Sequence, residues 1–403
     1  MSRQFFRNRI ETGDIPQMDA KGTPYIYGVR WDSVNDVMTA GIVLGGVFVG
    51  TDYTTFFIQE KMVRGLLTEA GAWTALNASD TAKLVSGAAA TIDGSAGQVV
   101  TRLSSFYHVA KTDGNYKYWL ISEDSFTFGG VEAWVPPAFI DKPYLYIGAF
   151  QGVALTDSAT ANVGSCVKNT SGYSYATPNP FTDQTIVEFR AQCNHGVFSQ
   201  MNLGQFDIVY LLALIEYKTW KLQEELEGHT EEVSWDYAKT KEAGETTGLG
   251  NASGTVNSVN SYRGIENIFG NVYQFVDGAN INASDDQRLW MCYDPDNYAS
   301  DTVTNYTDTG CASAIDGTND YIKDVYGTGK HCSLFPIGNT GATSATFISD
   351  YLYTAALGSG WRVLVVGGGL SKGRMAGFGG RYSAYDSSSH YATVGVRLAA
   401  AYV

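Results

Sequence analysis

The sequence predicts an α+β chain, and three observations carry that prediction. Apolar and polar residues alternate from Phe106 to Lys111 and again from Tyr116 to Leu120, with Thr112-Asp113-Gly114-Asn115 between them. That is the pattern of a hairpin with an Asp-Gly turn. Leu203–Leu226 places Phe206, Val209, Tyr210, Ala213, Tyr217 and Trp220 at helical spacings. The closing stretch is rich in Gly, Ser, Tyr and Ala without helical period, and reads as strands joined by irregular loops.

The elements follow in order. Tyr25–Trp31 and Ile42–Val49 read as strands, and the small residues of Asp80–Gly97 as a loop or linker. Tyr144–Phe150 is another strand. Asn202, with Gln205 three residues on, predicts a capping box for the helix, and Gly228 predicts its stop. The last turns of the helix, Lys221–Glu227, are charged and read as solvated. Asp236–Ser261 and Asn280–Gly329 are polar and read as long loops. Val363–Leu370 is a short buried strand, and Thr393–Leu398 a closing strand whose Val394, Val396 and Leu398 alternate into a core. No repeat of fixed period is visible.

Length and charge bound the function. A chain of 403 residues is expected to divide into a large and a smaller domain. The boundary is expected near residue 95, with a β-rich attachment or oligomerisation region at 1–95 and a ligand-binding domain at 96–403. The chain is 44% hydrophobic and carries 27 Lys+Arg against 41 Asp+Glu, a net charge of −14. That argues against a nucleic-acid binder, which needs clustered cations. Apolar runs such as Ala40–Thr51 are too short to span a bilayer, so no membrane insertion is expected. Met1–Asp14 has arginines but no apolar core, so synthesis in a bacterial cytoplasm without a signal peptide is expected.

Motifs for catalysis are few. Cys166, Cys193, Cys292, Cys311 and Cys332 are odd in number and contain no CxxC pair. His108, His195, His229, His331 and His390 lie far apart and form no HExxH. Neither GxSxG nor GxxxxGK[ST] occurs, and nothing assembles a nucleophile, base and orienting group. Gly367-Gly368-Gly369 is not followed by the helix pattern that a phosphate cradle needs. Asp294-Pro295-Asp296-Asn297 has calcium-like spacing but no EF-hand pattern. No catalytic residue, metal or cofactor is expected, and the chain reads as non-enzymatic.

Two stretches stand out. Ser261–Asn280 reads SYRGIENIFGNVYQFVDGAN and mixes Arg263, Glu266, Asn267, Asn271 and Asp277 among apolar residues. Polar groups in such company must be paired if buried, which predicts a hydrogen-bonded structural knot. Ser359–Ala399 begins with Trp361 in GWRVLVVGGG and ends in VGVRLA. The RGIEN…FGNV…QFVDG run, with this tail, resembles the C-type-lectin-like fold in its formylglycine-generating-enzyme branch. FYHVAK…TDGNYKYWLIS, the PPAFI of Pro136–Ile140 and YLYIGAF resemble phage proteins of the same type. The resemblance covers residues 96–403 and implies a C-type-lectin-like fold within the α+β class.

The resemblance also implies a function. The enzymes of the branch use a cysteine pair near the chain end, and no cysteine follows Cys332 here. The EPN, QPD and WND calcium motifs of sugar-binding lectins are absent. What remains is display: phage tail-fibre receptor-binding proteins and the variable proteins of diversity-generating retroelements. Adenine-directed rewriting of AAC or AAT codons cannot produce Lys, Glu, Gln, Met or Trp, and none of these occurs in Ala376–Val403. A variable region at 370–398 is thereby implied. Tyr and Arg among Ser and Gly suit a binding surface. Arg381, Tyr382, Tyr385, Asp386, His390 and Tyr391 are the expected contacts, with Lys372, Arg374 and Phe378 at the rim. The implied partners are a bacterial surface protein or glycan, other virion proteins through the N-terminal region, and further copies in a homo-oligomer, a trimer. The implied location is a virion, as a tail or surface fibre. The alternatives are an oxidoreductase of the formylglycine-generating type and a structural virion decoration.

Overall fold

In the computed structural model the described residues are 25–156, 160–167, 179–246, 248, 251, 258–313 and 315–400. Three sheets carry the architecture. The first has five strands in the order β3-β2-β1-β8-β7, where β1 is Tyr27–Asp32, β2 Val37–Leu44, β3 Val47–Gly50, β7 Tyr107–Asp113 and β8 Tyr116–Ser122. Hairpins at Gly45-Gly46 and at Gly114 turn with positive φ, which glycine adopts without penalty.

The second sheet has six strands, drawn from between Val63 and Ala400. Its order is β10-β19-β9-β6-β4-β5: Ser199–Gln200, Leu398–Ala400, Tyr144–Gly148, Gln98–Ser104, Val63–Leu67 and Trp73–Ala75. The third sheet runs β13-β12-β11-β16-β17-β15-β14, with β18 on β11. These strands are Thr307–Asp308, Arg288–Met291, Tyr273–Asn282, Trp361–Gly367, Gly377–Ser383, Ile348–Thr354 and Asn319–Ile322, and β18 is Val394–Gly395.

The fold is mainly β, with 36% strand and 12% helix, and the sheets are largely antiparallel. This corrects the expectation of an α+β, C-type-lectin-like domain. The one long helix stands out in the sequence more than the sheets do, because strands of two to four residues leave little periodic signal.

Strands on the two sides of residue 95, the expected boundary, pair with one another. β4 and β5 precede it and β6 follows it, yet Gly65 pairs with Val100 and Leu66 with Val99. In the first sheet Val29 pairs with Trp119. Strands from both sides of residue 95 complete the same sheets, so their backbone hydrogen bonds cannot be satisfied separately.

Three helices fall among the described residues: α1 Ile186–Cys193, α2 Leu203–Tyr217 and α3 Leu222–Glu225. The Asn202 side chain accepts from Gln205 N and the Gln205 side chain from Asn202 N, each at 2.8 Å, closing the capping box. α2 ends at Lys218, not at Gly228. Lys218 takes the left-handed conformation at φ 59 and donates its N–H to Leu214 O. Leu222 and Leu226, expected in a solvated turn, are buried. α2 buries nearly its whole circumference, as a helix enclosed between layers must. It packs with Val29 and Trp31 of the first sheet and with Leu364 and Val366 of the third in one core. Each such aliphatic side chain removed from water contributes roughly 1.5–3 kcal/mol.

Arg397 fastens the second sheet to the third. Its fully buried guanidinium donates four bonds of 2.8 Å, to Gln274 Oε1, Gly148 O, Glu266 O and Asn267 O. Among the described residues no helix is long and apolar enough to cross a membrane.

Candidate binding surface

β15 and β17 lie parallel, with Tyr353 opposite Tyr382 and Leu352 opposite Arg381. β14 pairs with β15 so that Tyr321 lies opposite Tyr351. Side chains alternate across a strand, so Tyr351 and Tyr353 share one face of β15. The result is a continuous row of six rings. Centroids are 5.0 Å apart for Tyr321–Tyr351, 4.8 Å for Tyr351–Tyr353 and 4.8 Å for Tyr353–Tyr382. The row continues at 4.2 Å for Tyr382–Tyr385 and 4.5 Å for Tyr385–Tyr391. Tyr273 joins from β11 at 6.2 Å from Tyr382.

The row is half-buried along most of its length and ends in the open, where Tyr391 is 43% exposed. Partial burial pushes the Tyr353 phenol up to about 12 and raises those of Tyr351 and Tyr385 as well. These phenols stay neutral across the physiological range and retain both donor and acceptor capacity. Tyr351 donates to Asn319 O at 2.7 Å, and the Lys372 ammonium lies over the Tyr353 ring at 5.8 Å from its centroid.

The expected contact residues separate into two groups. Tyr382, Tyr385 and Tyr391 are in the row. His390 is exposed with Nδ1 3.0 Å from Asp183 Oδ1, and Lys372 stands beside Tyr353. Asp386 is exposed but locally engaged. Its Oδ1 accepts from Ser388 Oγ, Ser388 N and Ser389 Oγ, and these bonds hold the carboxyl below its usual range. It shapes the turn that carries Tyr391. Arg374 is exposed and paired with Glu224 at 2.7 Å.

Arg381 and Phe378 are corrections. Arg381 is 2% exposed and its guanidinium donates to Asp207 Oδ1 at 2.6 Å and to Phe378 O at 2.7 Å. Phe378 is fully buried, with its ring stacked on Tyr210 at 5.7 Å. Both side chains are directed into the core. The glycines beside them are fixed by packing: a Cβ on Gly379 would lie 2.8 Å from Asp350 Oδ2 and 3.0 Å from the Tyr210 hydroxyl. Of the region 370–398, the segment Gly377–Arg381 is therefore interior.

The polar knot is interior as well. Glu266 accepts from Gly244 N, Thr246 N and Thr246 Oγ1, at 2.9, 2.7 and 2.8 Å. Burial raises its carboxyl above the usual range. Asn271 bridges Gln151 and Lys241, and Asn267 Oδ1 faces Asn260 N. Asp277 takes a two-pronged bond from Arg190 at 2.6 and 2.9 Å, and Arg263 pairs with Glu216 at 2.5 Å. Arg263, Asn267 and Asn271 all hold positive φ, a region asparagine tolerates better than most residues. Trp361 opens β16 half-buried, opposite Asn282.

A second concavity was not foreseen. A shallow open cleft is lined by His108, Asp207, Tyr293, His331 and Cys332, with apolar walls from Pro137 and Leu211. Burial pushes the Asp207 carboxyl up to about 6 against the pull of Arg381, and pushes His108 down to about 3. Tyr293 Oη lies 2.9 Å from His331 Nδ1. Cys311 sits against Cys332, and that hydrogen bond together with burial drives its thiol strongly upward. A nucleophilic or metal-binding cysteine needs the reverse. Among the described residues no group of three or more His, Cys, Asp or Glu side chains is placed to hold a metal ion. Asp294, read for calcium-like spacing, instead accepts from Asp296 N and Asn297 Nδ2 in its own turn.

The tyrosines of the row outside the tail were also missed. Tyr321, Tyr351 and Tyr353 lie far from Tyr382 in sequence, and only the parallel pairing of β15 with β17 unites them. The period-2 spacing of Tyr351 and Tyr353 was the one available signal.

No protein-family model and no curated protein matches the chain. Among solved structures it is similar to a chain titled "Major Tropism Determinant P3c Variant", at 12% sequence identity and a TM-score of 0.29, over 90% of this chain and 80% of that one. A likeness that weak carries no argument about fold or function.

Proposed function

We propose that the chain is a non-enzymatic binding protein that recognises a bacterial surface target, in the manner of a phage receptor-binding or retroelement-diversified display protein. The observation that carries this reading is the row of six tyrosines on β14, β15 and β17 and the turn after them. Tyrosine supplies large contact area with few rotatable bonds, and clustered tyrosines are the usual stock of recognition surfaces. Within this reading the adjustable positions are the accessible ones, Tyr382 and Tyr385–Tyr391. Gly377, Phe378, Gly379 and Arg381 are held by the core beneath.

The test is adsorption of labelled protein to a panel of bacterial strains. Saturable adsorption to at least one strain, competed by unlabelled protein, is expected. It should fall at least tenfold when Tyr382, Tyr385 and Tyr391 are replaced by alanine, with melting temperature monitored throughout. Undiminished adsorption by a folded triple variant would reject the row as the binding surface.

A further inference from the structure

The rim of the row carries more carboxylates than cations. Asp183 sits beside Tyr391, donating its N–H to Tyr391 O, and its side chain is exposed. Asp301 accepts from Ser387 in the same turn, and Asp386 follows Tyr385. At the other end Asp320 precedes Tyr321, and its charge bears on the Tyr351 phenol. Glu231 lies at the base of Lys372, 3.4 Å from where a Gly373 Cβ would stand. Against these five carboxylates, of which Asp183 faces His390, stand Lys372 over Tyr353 and Arg362 near Asp386. The chain as a whole is at −14, so the field around this face is negative on both the local and the molecular scale.

The rings contribute in the same sense. From Tyr353 to Tyr391 the rings lie 4.2 to 4.8 Å apart at 25–32°, Tyr321 meets Tyr351 edge-on at 89°, and Tyr391 ends the row 43% exposed. Phenolic oxygens accept from ammonium and guanidinium groups, and an open tyrosine face attracts a cation.

We infer that the tyrosine row with its carboxylate rim receives a cationic protein segment, one that presents arginine or lysine side chains to the phenols while the rim steers its approach. The inference rests on the row being the binding surface proposed above, and it adds the chemistry of the partner. Charge complementarity of this kind sets association rate and partner choice more than it sets final affinity.

The experiment uses the intact chain and three fluorescent ten-residue peptides: glycine alternating with arginine, with glutamate and with serine. Anisotropy titrations are run at low and at roughly physiological salt, where the screening length is about 8 Å. The arginine peptide is expected to bind at least tenfold more tightly than either of the others, and to weaken severalfold as salt rises. Tyr385→Ser with Tyr391→Ser should remove at least nine-tenths of that affinity. Asp183→Asn with Asp301→Asn, which leaves the rings in place, should weaken it severalfold. Arginine-peptide binding that persists in the tyrosine variant would show general attraction to an acidic protein and overturn the inference. A glutamate or serine peptide that binds best, and is lost with the tyrosines, would overturn the cationic assignment while leaving the row as a binding surface. Binding of no peptide also overturns the cationic assignment, and the role of the row is then decided by the adsorption test alone.

Discussion

Replacing Arg397 with lysine is expected to destabilise the protein severely, although charge and length are nearly kept. The guanidinium reaches four acceptors in three directions: Gln274 Oε1, Gly148 O, and the paired carbonyls of Glu266 and Asn267. An ammonium is a single point with three donors and cannot span that fork. At least two of the four bonds are lost, and their carbonyls stay buried without a donor. A bond to a charged group contributes about 1.5–3 kcal/mol, so the loss comes to roughly 3–6 kcal/mol. That is a large part of the 5–15 kcal/mol that holds a typical domain folded. Equilibrium urea unfolding followed by tryptophan fluorescence measures it, comparing midpoints at equal slope. A chain of this size can unfold in stages, and Arg397 ties the second sheet to the third, so the first transition should move. A lysine variant within about 1 kcal/mol of wild type would refute the claim that this fork joins the sheets.

Three further outcomes follow from the same reasoning. Burial pushes the Asp350 carboxyl up to about 7 from an ordinary 3.8, so the native state holds a proton that the unfolded state has released. The stability it contributes is complete below pH 4 and is lost as pH rises through about 7, at a slope of at most about 1.4 kcal/mol per unit. Asp350→Asn should therefore gain on wild type in melting temperature from pH 5 to pH 8, and a constant difference would refute this. Gly379→Ala should cost roughly 1–3 kcal/mol through overpacking against Asp350 and Tyr210, read by thermal melting; a neutral result would mean β17 is not packed as described. Thr185→Ala removes the α1 cap, whose side chain accepts from Glu188 N at 3.2 Å, and should cost about 1 kcal/mol. An unchanged melt would show that the Thr185 cap does not stabilise α1.

What the sequence disclosed, it disclosed through local rules. The hairpin of β7 and β8 was legible because Asp113-Gly114 turns between two alternating runs. The start of α2 was legible because Asn202 and Gln205 are three apart. Its end was not, since lysine at 218 gives no warning of a left-handed residue. Near residue 95 a small-residue loop looks like a linker, whereas the pairing of β4 with β6 across it is invisible locally. In the site, Tyr382, Tyr385 and Tyr391 were legible as residues suited to recognition. Arg381 and Phe378 were misread for the same reason, because their burial is decided by Asp207 and Tyr210 more than 160 positions earlier. The knot at Ser261–Asn280 could be anticipated, because crowded polar and apolar residues leave pairing as the only inexpensive solution.

The central claim is that the tyrosine row touches the target. Tyrosine footprinting on cells of an adsorbing strain tests it most directly. Protein free in solution and protein bound to cells are iodinated briefly, digested and analysed by mass spectrometry. Tyr385 and Tyr391 should be modified in free protein and protected in bound protein, while Tyr116, exposed on the far sheet, is modified equally in both. Protection of Tyr116 with Tyr385 and Tyr391 still open would contradict the account and move the binding surface to the first sheet.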